Sequence, residues 1–178
     1  MYKFSEQEKI VLNAAYKVWI ECKQDKRRCL WLYGGPNCGK TTWLKMFDTI
    51  FKSSRLEIND EKFQNAQVVQ GSQLVLLNDI KAYRVVSNDL VSKMKNFLEG
   101  EGFELNEKMG RKRLIFKNTY QLITSNDLPP SRLTKDGASD WEPFTYRCET
   151  TELKEVYNSE TKPMFTKVDV CRYWMDKC

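Results

Sequence analysis

Three glycines, a proline and a lysine fall within YGGPNCGKTTW, Tyr33 to Trp43, between two apolar stretches. Glycine and proline interrupt regular structure, so their concentration here calls for a chemical reason. Gly34, then four residues, then Gly39-Lys40-Thr41 has the spacing of a phosphate-binding loop. Several main-chain N–H groups must converge on a triphosphate, and only glycines allow the angles and the close approach. The reading assigns Gly34, Gly35, Pro36, Asn37, Cys38, Gly39, Lys40, Thr41 and Thr42 to this cradle. Lys40 can reach the β- and γ-phosphates of ATP, and the Thr41 hydroxyl can meet Mg²⁺. A helix beginning near Lys40 adds the positive end of its dipole.

A loop of this kind needs a carboxylate at the end of a neighbouring buried strand to hold the magnesium. LVLLNDI supplies one in Asp79, preceded by Asn78. A third apolar run, QLITSN, ends in Thr124-Ser125-Asn126. Ligands of parallel α/β sheets lie beyond the carboxyl ends of the strands. Asn126 is therefore a candidate to orient a water for attack on the γ-phosphate.

These residues require strands and helices in alternation. The spacing predicts a helix over about 5–24, with Ser5 as N-cap, Glu8 completing a capping box, and an apolar stripe through Ile10, Ala14 and Val18. A buried strand near 28–33 precedes the loop, and a helix of about 40–52 follows it. Residues 55–72 are mixed and polar. Strands are expected at Leu74–Leu77, through NTYQLITSN and in FTYRCETTEL, with a helix in SNDLVSKMKNFLEG ended by Gly100. FELNEKMGRKRLIF alternates, turns at Lys108–Arg111 and alternates again, which is a hairpin. A short helix closes the chain from about Val168. The fold class is α/β: a P-loop parallel sheet flanked by helices, with a basic β-hairpin inserted. The expected organisation is an N-terminal helix in 1–27 for packing or oligomerisation, a core over 28–150 and a tail over 151–178.

Composition narrows the chemistry. The 178 residues carry a net charge of +5 and no histidine. Ser-His and Cys-His nucleophilic machinery is excluded, as is a histidine-ligated metal nuclease. The six cysteines form no CxxC pair, so reduced thiols in an intracellular compartment are expected. No apolar run approaches the ~20 residues of a membrane span, and MYKFSEQEK is charged where a signal peptide is apolar.

GGPNCGKTT, LVLLNDI, a basic hairpin and LITSNDLPP, at these spacings, resemble the superfamily 3 helicases. These are the replication ATPases of papillomaviruses, parvoviruses and circular single-stranded DNA viruses, and the spacing looks most like the Rep proteins of the last group. The resemblance spans roughly residues 28–150. It implies an AAA+-like core that hydrolyses ATP with Mg²⁺ at the interfaces of a hexameric ring and moves single-stranded DNA, in the host nucleus or cytoplasm. It gives Lys40, Asp79 and Asn126 catalytic roles, with Asn126 as the polar sensor. An arginine finger falls at Arg147, with Arg132 as runner-up. It also gives the hairpin residues Lys108, Met109, Arg111, Lys112 and Arg113 to DNA. Without the resemblance the hairpin reads first as a solvated edge whose lysines deter aggregation.

One departure stands out. The family usually has two adjacent acids after the second strand, and here Asn78 replaces the first. An amide can meet a metal-bound water but adds no charge. That keeps open a nucleotide-dependent assembly module with little hydrolysis. The same phosphate loop would also serve an RNA-directed ATPase, or a small P-loop kinase with the hairpin as its lid.

Overall fold

Ser5 opens the first helix as its sequence predicts. Its hydroxyl accepts from the Glu8 N–H at 3.3 Å, and the Glu8 carboxylate accepts from the Ser5 N–H at 2.7 Å. The helix, α1, covers Glu6–Ala15 and passes directly into a π-helical turn at Tyr16–Ile20. The expected stripe is borne out at Ala14 and Val18, which are buried, and corrected at Ile10. Ile10 is 56% exposed, while Val11, Leu12, Ala15, Val18 and Trp19 are buried. The buried positions keep helical spacing, so the face turned to the core is centred one residue past Ile10, on Val11 and Ala15. Trp19 packs edge-on against Phe47 and Phe51, with ring centroids 4.8 and 5.5 Å away.

The computed structural model describes residues 2–21, 27–59, 62–64, 71–80, 88–101, 103–107, 110–114, 119–126, 147–154 and 165–177. After α1 come β1 (Cys29–Tyr33), α2 (Lys40–Ile50), β2 (Ser53–Arg55), β3 (Glu57–Asn59) and β4 (Lys62–Gln64). Then follow β5 (Leu74–Leu77), α3 (Asn88–Leu98), β6 (Phe103–Glu107), β7 (Gly110–Leu114), β8 (Tyr120–Ser125), β9 (Cys148–Glu152) and α4 (Lys167–Met175).

Five strands form one sheet in the order β2-β5-β8-β1-β9, and every neighbouring pair is parallel. β2 is the element the polar composition of the 50s concealed. Its three residues, Ser53 to Arg55, hold the sheet edge by backbone pairing to Leu74–Leu76, and the side chains of that edge stay partly or fully exposed. The antiparallel pair β3–β4 was likewise hidden.

Alternation along β1 divides the core. Leu30 and Leu32 join Leu74, Leu76 and Leu122 beneath α1, α2 and α4, where Phe47 and Trp174 also sit. Gln121, on the alternating positions, donates from Nε2 to the Phe97 carbonyl at 3.1 Å and ties α3 to β8. β6 and β7 pair antiparallel, with Glu107 opposite Gly110. Arg111 therefore belongs to a strand and not to the turn, while Lys108 and Met109 lie outside the described residues. No helix among the described residues is long and apolar enough to cross a membrane.

Candidate nucleotide-binding site

β1 is flanked by β8 and β9, and parallel pairing brings the carboxyl ends of neighbouring strands to one edge. Tyr33 lies level with Ser125 of β8 and with Glu152 of β9. Leu77 of β5 lies level with Ile123 of β8. The loop after β1, Asn78-Asp79 after β5 and Asn126 after β8 thus emerge side by side.

The loop has the backbone its glycines foretell. Gly34, Asn37 and Gly39 take φ of 152°, 62° and 88°. Gly39 is the left-handed N-cap of α2. An asparagine tolerates this region better than most residues because its short polar side chain can bond locally. Gly35, Pro36 and Asn37 are exposed, whereas Gly34 and Cys38 are buried. The Lys40 ammonium donates to the carbonyls of Gly34 and Gly35 at 2.6 and 2.7 Å, and Cys38 Sγ lies 3.5 Å away. Lys40 therefore folds across the loop. Buried Trp43 and Phe47, stacked at 5.6 Å, anchor the helix that follows.

Asp79 and Thr41 are both exposed. Asp79 has φ of 52°, and its N–H donates to the Thr124 hydroxyl at 2.8 Å. Thr124 Oγ1 donates in turn to Asn78 Oδ1 at 3.0 Å. Asn126 is exposed beyond β8, next to Ser125, whose Oγ accepts from buried Trp31 Nε1 at 2.8 Å. The donor set suits Mg²⁺ with its usual waters and phosphate oxygens: one hydroxyl, one carboxylate, and no thiolate or imidazole. Among the described residues no group of three His, Cys, Asp or Glu side chains could hold a metal ion unaided.

Arg147 is not brought to this cluster. It precedes β9 at the amino end of the sheet, where Cys148 lies level with Cys29. Its Nε donates to Glu99 Oε1 at 2.7 Å, and its Nη2 meets the same oxygen. The backbone of Arg111, Lys112 and Arg113 lies in β7, while Arg132 falls outside the described residues. Two contributors escaped the sequence reading. Thr124 was visible only as a polar strand end. Leu153, whose N–H donates to the Tyr33 carbonyl at 2.7 Å, gave no signal at all.

A family of unknown function (DUF5906) matches residues 32–140, more than half of the chain, and the chain belongs to that family. The sequence matches no curated protein. Among solved structures, the chain is similar to the apo A form of the NrS-1 C-terminal region, at 18% identity and a TM-score of 0.51. The match covers 99% of this chain and 44% of that one. It is also similar to JCV helicase with a bound acetamide compound, at 15% identity and a TM-score of 0.53, over 84% of this chain and 42% of that one. The chain thus has a helicase-like fold and spans less than half the length of either structure.

Proposed function

We propose that this DUF5906 member is a nucleoside-triphosphatase domain of the superfamily 3 helicase type, which binds Mg·ATP at the carboxyl edge of its sheet. The observation that carries the reading is the loop from Gly34 to Thr41 between β1 and α2, with Asp79 and Asn126 on the two adjoining strand ends. The resemblance to Rep proteins adds the ring and the DNA track.

The loop N–H groups and the start of α2 receive the phosphates. Lys40 leaves the Gly34 and Gly35 carbonyls to pair with the β- and γ-oxygens. Thr41 and Asp79 would hold magnesium, which when bound would supply positive charge against the phosphates. Asn126 orients a water. The water oxygen bonds to the γ-phosphorus, the bond to the β-γ bridging oxygen breaks, and ADP departs. The water's proton passes to Asp79 or to the released phosphate. In the assembled ring, the basic hairpin would draw a single strand of DNA with each cycle.

One observation favours a second reading. Asn78 stands where superfamily 3 helicases usually have an acid, so the domain could act as a nucleotide-dependent assembly module with little turnover. Phosphate release, measured with and without single-stranded DNA across a range of protein concentration, separates the two. DNA-stimulated hydrolysis that Lys40→Ala abolishes is the expected result. Triphosphate binding without any hydrolysis would favour the assembly module, and no binding at all would overturn both.

A further inference from the structure

The Thr124 hydroxyl stands between the two residues that follow β5. It accepts from the Asp79 N–H at 2.8 Å and donates to Asn78 Oδ1 at 3.0 Å. A main-chain N–H can only donate, so the hydroxyl oxygen must be the acceptor there. Its one proton is then spent on the Asn78 oxygen. The next N–H, that of Ile80, donates to the Thr124 carbonyl at 2.8 Å. Three bonds to one fully buried residue therefore hold the turn in which Asp79 takes its left-handed backbone.

The relay has a chemical consequence for Asn78. Its amide oxygen faces β8 and is engaged. The residue as a whole is exposed, and its remaining hydrogen-bonding capacity is the pair of N–H donors of the NH₂ group. A carboxylate in the same place would offer a second oxygen, suited to a cation. The amide offers two N–H donors, suited to an oxyanion.

We propose that Thr124 is a positioning residue whose hydroxyl turns Asn78 into a hydrogen-bond donor to the phosphate oxygens of the bound nucleotide, in place of a contact to its metal ion. This rests on the nucleotide-site reading above. It means that part of the triphosphate affinity survives without magnesium, because Asn78 binds the phosphate directly. It also means that Asp79 is the sole side-chain carboxylate of the pair available to the metal.

The test is titration of the 178-residue chain with a fluorescent N-methylanthraniloyl ATP, once in EDTA and once in excess magnesium. Loss of a hydrogen bond to a charged group lowers affinity on the order of tenfold. Asn78→Ala and Thr124→Val should each lose about that much in EDTA, whereas Thr124→Ser, which keeps the hydroxyl, should stay within about twofold of the parent. Asn78→Asp should lose more in EDTA, through repulsion of the phosphates, and regain affinity when magnesium is added. Equal affinities of Asn78→Ala and the parent in EDTA overturn the donor role. Equal affinities of Thr124→Val and the parent overturn the relay. Circular dichroism checks the fold of Thr124→Val; should that variant not fold, exposed Asn78 still carries the test. A parent that binds the analogue in neither buffer fails earlier, at the nucleotide site itself.

Discussion

The main-chain oxygen of Leu153 stands 2.3 Å from where a Cβ on Gly34 would lie. The chain leaving β9 is held against the start of the Gly34–Thr41 loop by the bond from the Leu153 N–H to the Tyr33 carbonyl. The Lys154 N–H reaches on to Gln7 Oε1 at 2.9 Å. Gly34 also has φ of 152°, so a side chain there is opposed by both backbone and neighbour. Gly35, one residue later, has nothing within 4 Å of its Cβ position. Gly34→Ala should therefore cost about 1–3 kcal/mol, lowering Tm by roughly 2–4 °C per kcal/mol at this chain length. It should also weaken triphosphate binding. Gly35→Ala should fall within about 0.5 kcal/mol of the parent. Thermal melts and calorimetry on the two variants check this, and equal behaviour would contradict it.

What the sequence disclosed follows from where its information is local. The loop, Asp79 and Asn126 were legible because each sits at the end of an apolar run, and a parallel sheet gathers such ends. The capping box of α1 was legible because Ser5 and Glu8 satisfy each other within one turn. β2 was not, since Ser53 and Ser54 owe their strand state to pairing with β5 and not to their own side chains. The Leu153 contact, the Thr124 relay and the Glu99–Arg147 pair join residues far apart in sequence, and no periodicity encodes them. The buried face of α1 passes through Val11 and Ala15 and leaves Ile10 exposed, because apolar residues occupy both sets of positions and periodicity alone does not choose between them.

Arg147 lies at the opposite end of β9 from Leu153, at about 3.3 Å per residue along the strand. It should leave triphosphate affinity unchanged when replaced by Ala. The side chains of Arg147 and Glu99 are 21% and 23% exposed, so breaking the pair should cost about 1–2 kcal/mol, between surface and buried limits. The arginine-finger role implied by the resemblance adds a loss of turnover of about 10³ in assembled protein. Glu99→Gln separates the effects. It should share the loss of Tm and keep most of the turnover, because the guanidinium remains. If both variants lose turnover alike, Arg147 acts only through the fold.

The second capping box predicts an acid-sensitive step. The Asp169 carboxylate accepts from the Thr166 hydroxyl at 2.7 Å and from the Thr166 N–H at 2.9 Å. The hydroxyl first, and then the main chain, hold its pKa below the ordinary aspartate value of 3.8. A carboxyl whose folded pKa is depressed contributes stability above its unfolded value and loses it as pH falls through the folded one. The Tm difference between the parent and Asp169→Ala should therefore be constant near neutrality and shrink only below the ordinary aspartate value. Melts followed by circular dichroism across that range check it. A gap that closes nearer neutrality would point to another group.

Arg111, Lys112 and Arg113 belong to β7, whose Gly110 pairs with Glu107 of β6, and Lys108 follows Glu107 in the sequence. If these residues meet a DNA backbone, their contribution is ionic and releases counterions. Each phosphate neutralised on a single strand then adds about 0.7 to the slope of log affinity against log salt. Contacts of this kind carry little base preference. Replacing Lys108 and Arg111 with Ala should therefore weaken single-stranded DNA binding for every sequence and flatten the salt dependence by about 1.4. Triphosphate binding should be spared, because the loop at Gly34 lies elsewhere in the fold. Fluorescence anisotropy at low and moderate salt measures both quantities. Superimposable curves for variant and parent would assign the hairpin to the solvated edge, and its lysines to discouraging strand-to-strand association.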